Sequence, residues 1–254
     1  MALFADGPSP TIDDLTDQDS GLLDVAETCG INVSTKLRLA HDEIEADLSL
    51  WLDRPRQALE VVWGQIWRLG QIVVTPTLKR WETMQALSLV YRDAYFSQLA
   101  DRYQSKWDEY SRLSRQAYQA FVASGMGMIN DPVPAAAPPV LENVPGPQSG
   151  GMFYASVSWL NAAGQEGAAS PPSSITFPDG RLMTVTAVNP PGNAVGFIVY
   201  AGAALNAMFQ QNNVALPVGV RFTYVPGAIG QPRLPGSGQK PDFIRPLVRT
   251  LLRG

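Results

Sequence analysis

His41 is the only histidine of the chain and stands in AHDEIEADL beside Asp42 and Glu43. A histidine flanked by carboxylates has the residue types of a general base or of a metal site. On a helix, however, neighbouring positions point about 100° apart, so these three side chains do not converge. Asp13–Asp14 and Asp108–Glu109 offer the paired carboxylates of acid–base catalysis, and both pairs read as solvated surface. No Gly-x-Ser-x-Gly elbow, P-loop or His-Glu-x-x-His occurs. Cys29 is alone, so neither an internal disulfide nor a cysteine–histidine zinc site can form from it. Trp159 has the chemistry of a sugar platform, but its place in an alternating strand predicts a core residue. Asn32-Val-Ser34 matches a glycosylation sequon that a chain without an export signal would not use. The expectation is a protein that is not an enzyme, with no catalytic residues, no cofactor and no metal ligands.

Composition narrows the class. Of 254 residues, 45% are hydrophobic and 17% charged, which suits globular domains with real cores. No apolar stretch reaches the roughly 18–20 residues of a membrane-spanning helix, so no membrane partner is expected. The start, MALFADGPSPTIDDLTDQDSG, is acidic and lacks the basic and apolar regions of a signal peptide, which predicts synthesis in a reducing cytoplasm. The net charge of −4 divides unevenly: 19 acids and 12 bases up to Asp131, then 4 acids and 7 bases beyond it. Seven acids precede the first base, Lys36, which argues against sequence-specific nucleic-acid binding. Such separation also suits head-to-tail contact between copies.

The pattern predicts an α+β multidomain chain. Residues 1–129 read as an all-α helical bundle, 130–151 as a proline-rich linker, 152–226 as a small β-sandwich and 227–254 as a flexible tail. In the first part, Asp19 or Ser20 caps a short helix that Gly30 ends, and Ser34 starts a stripe through Leu37, Ile44, Leu48 and Trp51. Pro55 opens a further helical segment running to Gly70. From about Pro76 to Val122 a long helical stretch follows, broken or unbroken near Ala94–Phe96. Along it Tyr91, Tyr95, Leu99, Tyr103, Trp107, Tyr110, Ser114, Ala117 and Phe121 recur at steps of three and four, close to one helical face. Charges such as Arg92, Asp93, Asp101, Arg102, Arg112 and Arg115 line the other. Tyr91, Tyr95, Tyr103, Trp107, Tyr110 and Phe121 are therefore expected in the bundle core or at a subunit interface.

NDPVPAAAPPVLENVPGPQSGG, Asn130 to Gly151, lacks amide donors at its prolines and reads as extended linker. Alternation then takes over at Phe153–Trp159, Leu182–Val188 and Val195–Tyr200, with shorter candidates at Ser173–Phe177, Asn213–Leu216 and Val220–Val225. That predicts a small antiparallel sandwich of the fibronectin type III variant of the immunoglobulin-like architecture. The chain ends in DFIRPLVRTLLRG, with Arg245, Arg249 and Arg253 at every fourth place beside Phe243, Leu247, Val248, Leu251 and Leu252. Those seven residues, Phe243, Arg245, Leu247, Arg249, Leu251, Leu252 and Arg253, are the expected partner-binding segment.

The runs DAYFSQLADRYQSKWDEY and GMGMINDPVPAAAPP resemble head–tail connector (adaptor, or neck) proteins of tailed bacteriophages. VSWLNAAGQEGAASPPSSI, AVGFIVYAG and GQKPDF look like the immunoglobulin-like module appended to some of them. The resemblance covers roughly residues 15–253 and rests on pattern, without a signature motif. It implies a virion structural protein in the neck, a homo-oligomeric ring (usually a dodecamer) that joins the portal protein to tail or neck proteins. The C-terminal segment would then reach the portal. A particle-surface or host-carbohydrate binding module carried by the β-sandwich is the alternative.

Overall fold

The computed structural model describes residues 2–58, 67–98, 101–225, 233–236 and 238–245, with backbone alone at 53–58 and 98. The chain is α+β, with helices and antiparallel open sheets. It divides into two units: Gly7–Met128 with Pro241–Gly254, and Met1–Asp6 with Ile129–Lys240.

The first unit is helical. Thr11 and Asp14 form a reciprocal capping box at the start of α1 (Ile12–Gln18), so one of the paired carboxylates is a helix cap. α2 (Leu22–Cys29) stops at Gly30, whose φ of 66° is the left-handed conformation glycine adopts without strain. α3 (Val33–Ala58) is capped by Asn32, whose Oδ1 accepts from the Thr35 amide at 3.0 Å, two positions before the expected Ser34. Its stripe of Leu37, Ala40, Ile44 and Leu48 is buried. α3 also runs past Pro55, where a new helix was expected; proline's φ is compatible with a helix, although it removes one backbone donor and crowds the carbonyl four residues earlier. The apolar positions Leu59, Val62, Trp63 and Ile66 lie outside the described residues.

α4 (Pro76–Gln98) begins where its proline predicts and is buried on nearly every side from Trp81 to Tyr91. α5 (Gln104–Ser124) returns antiparallel to it after a turn of 3-10 helix at Asp101–Tyr103. The long stretch is therefore a hairpin. Tyr91 stacks on Tyr110 at 5.4 Å, Tyr95 on Trp107 at 5.8 Å, and Trp81 meets Tyr118 at 4.9 Å. Residues that share one stripe by spacing thus face each other across two helices. Each such ring pair adds about 0.5–1.5 kcal/mol beyond its buried area.

β1 (Met126–Met128) follows α5 directly. It is bridged on one side by Ile72, and the Val73 amide donates to the Gly127 carbonyl at 2.9 Å.

The second unit holds β2 (Val140–Pro145), β3 (Gly151–Asn161), β4 (Ser173–Phe177), β5 (Arg181–Thr186), β6 (Ala194–Gly202), β7 (Phe209–Gln210), β8 (Leu216–Pro217) and β9 (Arg221–Thr223). One antiparallel sheet is ordered β2-β5-β9, the other β4-β3-β6-β7 with β8 also on β6. They share a core of Val157, Trp159, Phe177, Val185, Phe197 and Val199. β2 lies within the stretch expected as linker, and Val133 and Ala136 from the same stretch are buried in that core. Its prolines stand outside β2 or at its last position, where no ladder donor is missed.

β3 and β6 are buried on both faces, against the simple alternation expected of them. Small serines make this possible on the outward side. Ser156 donates to the Ser170 carbonyl at 2.8 Å, and Ser158 to Glu166 Oε1 at 2.5 Å. Glu166 also accepts from Tyr200 at 2.5 Å and pairs with Arg233. One carboxylate so closes the outer layer over β6.

Candidate interaction surface

Two acids of the helical unit, Asp19 and Glu82, are interior hubs; Asp19 was expected as the cap of α2, whose N-cap is instead Gly21 with no side-chain cap bond. Asp19 closes α1 and is 6% exposed. Its Oδ2 accepts from Lys106 at 2.5 Å, Tyr91 at 2.6 Å and Tyr110 at 2.9 Å, and its Oδ1 from the Gly21 amide at 3.1 Å. Burial raises its pKa, but these donors outweigh burial and hold the carboxyl below its ordinary range. Burial and the Asp19 carboxylate push both tyrosine hydroxyls up. The network pins the acidic N-terminal segment to the α4–α5 hairpin.

Glu82 on α4 is wholly buried and takes the His41 ring at 2.8 Å and the Ser9 amide at 3.1 Å, with the Ser9 hydroxyl on the same carboxylate. Serine, carboxylate and imidazole are thus present, but in the wrong order. The hydroxyl faces the carboxylate rather than the ring, so the imidazole does not take its proton. Among the described residues, no group of three or more His, Cys, Asp or Glu is placed to hold a metal ion.

Asp19 gives a pH test. A carboxyl with a lowered folded pKa contributes stability that is present above its unfolded value near 3.8 and is lost as pH falls through the folded value. Asp19→Asn should therefore be less stable than the parent at pH 7, and the gap in urea midpoint should close toward pH 2. A gap that stays constant across that range would show that the charge plays no part.

The expected tail is anchored at its start. β10 (Asp242–Ile244) pairs antiparallel with β1, Met126 opposite Ile244 and Met128 opposite Asp242. Arg245 Nε donates to the Ser124 carbonyl at 3.2 Å. Gly127 permits this approach: a Cβ there would stand 2.9 Å from Thr75 Cγ2 and 3.0 Å from Pro241 Cβ. A three-residue strand on so short a partner leaves little periodicity to read in sequence. Phe243 is 55% exposed and Ile244 37%, and among the described residues no strand pairs with the outer edge of β10. Leu247, Arg249, Leu251, Leu252 and Arg253 lie outside the described residues.

Of the aromatic positions, Tyr91, Tyr103, Tyr110 and Phe121 are buried within the helical unit. Tyr95 and Trp107 are half-buried beside Phe96, which is 58% exposed. Phe96 borders a cavity of about 540 Å³, together with Cys29, Ile31, Lys36, Asp93 and Ser97. α2 ends at Cys29, so its C-terminus lies at this cavity, without a base in its last turn. Asp24 and Glu27 are exposed on the same α2, and Lys36 is already paired with Asp93. The cavity's lining is mixed, Ile31 and Phe96 standing beside Asn32, Thr35 and Ser97.

In the second unit, Gln239 is a residue that spacing gave no reason to single out. Its Oε1 accepts from the Val133 amide at 2.6 Å, and its Nε2 donates to the Asp131 carbonyl and Gln165 Oε1, both at 2.9 Å. Buried Asn161 also donates to Asp131 and Gln165. NDPVP, NAAGQEG and GQKP thus meet at one polar clasp where the chain enters and leaves this unit. The recurrence of amide side chains in these three Gly/Pro-flanked runs was the available signal.

Trp159, the one tryptophan after Asp131, is 1% exposed and packs edge-on against Phe197, so its face is closed to a sugar. Compared with protein-family models, with curated proteins and with solved structures, the chain matches none of them.

Proposed function

We propose that this protein is a virion structural protein of a tailed bacteriophage, an adaptor whose copies form a ring in the neck between portal and tail. The observation that carries this reading is the C-terminal segment. It is pinned as an edge strand on a helical unit, shows two large apolar side chains to solvent, and leads into PLVRTLLRG. A segment fixed at one end and rich in leucine and arginine is suited to gripping another polypeptide, with leucine supplying area and arginine pairing with carboxylates.

The rest of the fold serves that role. Helices pinned by buried carboxylates give the rigid flanks a closed ring needs, since its interface joins two different faces. In this reading the helical unit is the connector bundle and the second unit an immunoglobulin-like sandwich. β3-β6-β7 facing β2-β5 follows the C-F-G and B-E order of such sandwiches, and Trp159 stands on the strand in the C place. β9 has no counterpart in that order.

Phage particles made without this polypeptide should accumulate as filled heads lacking tails in electron micrographs. Complete particles from the same deletion would overturn the assignment.

A further inference from the structure

Resting on the ring reading above, we propose that neighbouring copies join end to end through their β units, the loop end of one against the β8 end of the next. Residues 182–220 carry no Asp, Glu, Lys, Arg or His in a chain that is 17% charged. Among the described residues, the exposed large apolar side chains of this run gather at the two ends of β6. At one end β6 gives way to the turn Leu205–Ala207 and then to β7, and Leu205 and Phe209 are exposed there. β3 places Tyr154 opposite Gly202, so the exposed Met152 stands at the same end. At the other end β8 pairs Leu216 and Pro217 with Phe197 and Gly196, which brings Val218 level with Val195. Asn212 ties Val214 to this end, its Nδ2 donating to the Phe197 carbonyl at 3.2 Å and the Val214 carbonyl at 2.8 Å. All three valines are exposed, Val214 by 79%.

Charge decides what can cover these ends. A charged surface laid on either would lose water without gaining a counter-charge, and a buried unpaired charge is strongly destabilising. The surface that fits is itself apolar and uncharged at its centre, with polar groups at the rim. This chain presents one such surface at each end of the same strand. A contact between unlike faces consumes two different surfaces per copy, one on each flank, and its repetition closes a ring when the rotation between copies allows. A two-fold dimer would use one end twice and leave the other bare. β6 spans nine residues, and at about 3.3 Å per residue the two ends stand roughly 30 Å apart. They cannot meet within one molecule, so a second copy is what brings them together.

Cys29 is the only cysteine, so Cys29→Ser gives a chain free of other thiols. In that background full-length L205C/V218C would be mixed with purified portal rings, weighed as an assembly, oxidised mildly and run on a non-reducing gel. It should give a ladder of disulfide-linked dimers, trimers and higher multimers that vanishes on reduction. An equimolar mixture of L205C and V218C chains should stop at dimers that neither variant forms alone. L205C/N143C, whose second site is exposed in the middle of β2, should stay monomeric. A ladder of equal yield from that control, or dimers from L205C or V218C alone in equal amount, would mean that the ends meet by collision or two-fold pairing, and the proposal falls. A portal-bound ring with no disulfide also overturns it while leaving the adaptor reading intact. A ladder without portal association supports the end-to-end contact and removes the adaptor role. Neither a ladder nor portal association would overturn both.

Discussion

Trp159→Ala should unfold the β unit, or leave it barely folded. Trp159 is 1% exposed and stands between Phe197 and the core residues of both sheets. Truncating a buried tryptophan costs about 3–5 kcal/mol, against a typical domain stability of about 5–15 kcal/mol. The indole N–H has no hydrogen-bond partner among the described residues, so the residue contributes through volume and contact. Trp159→Phe should accordingly cost much less than alanine, because it keeps an aromatic ring and removes an unpaired donor. Hydrogen exchange at the Val157, Phe197 and Val199 amides reads the effect directly. Unchanged protection in the alanine variant would contradict the assignment of this core.

Deleting Pro246–Gly254 should abolish ring formation while leaving the fold in place. The cut falls after β10, so the β1–β10 pairing and the Arg245–Ser124 contact are retained. The far-ultraviolet spectrum and urea midpoint should match the full chain. Assembly should fail completely rather than weaken, because each subunit of a closed ring is held through contacts on both flanks. Losing one kind of contact also removes the effective concentration that the others rely on. A truncated protein that still rings the portal at full stoichiometry would remove the C-terminal segment from the assembly.

Much of the architecture was legible because local rules and tertiary packing agree. Pro76 starts a helix, Gly30 ends one, and the alternation at Phe153–Trp159 and Val195–Tyr200 marks central strands. A break was left open near Ala94–Phe96, but the place of the turn, at Asp101–Tyr103, was hidden because the aromatic steps continue in phase across residues 99–103, and spacing cannot tell one long face from two faces meeting. Asp19 and Glu82 were hidden for a different reason. Their partners stand 41 to 91 positions away, and only the fold shows that these carboxylates are interior. β2 was masked by the prolines around it, and β10 by its length. The segment expected to bind a partner stood out by composition, but its anchoring on β1 did not.

The proposed role of these surfaces is to bind other copies and other polypeptides, and the mass of the protein in solution tests that most directly. Measured alone and after mixing with purified portal rings, it should be a monomer that becomes a closed ring of fixed stoichiometry only on the portal. A protein that stays monomeric beside a competent portal ring would contradict the account.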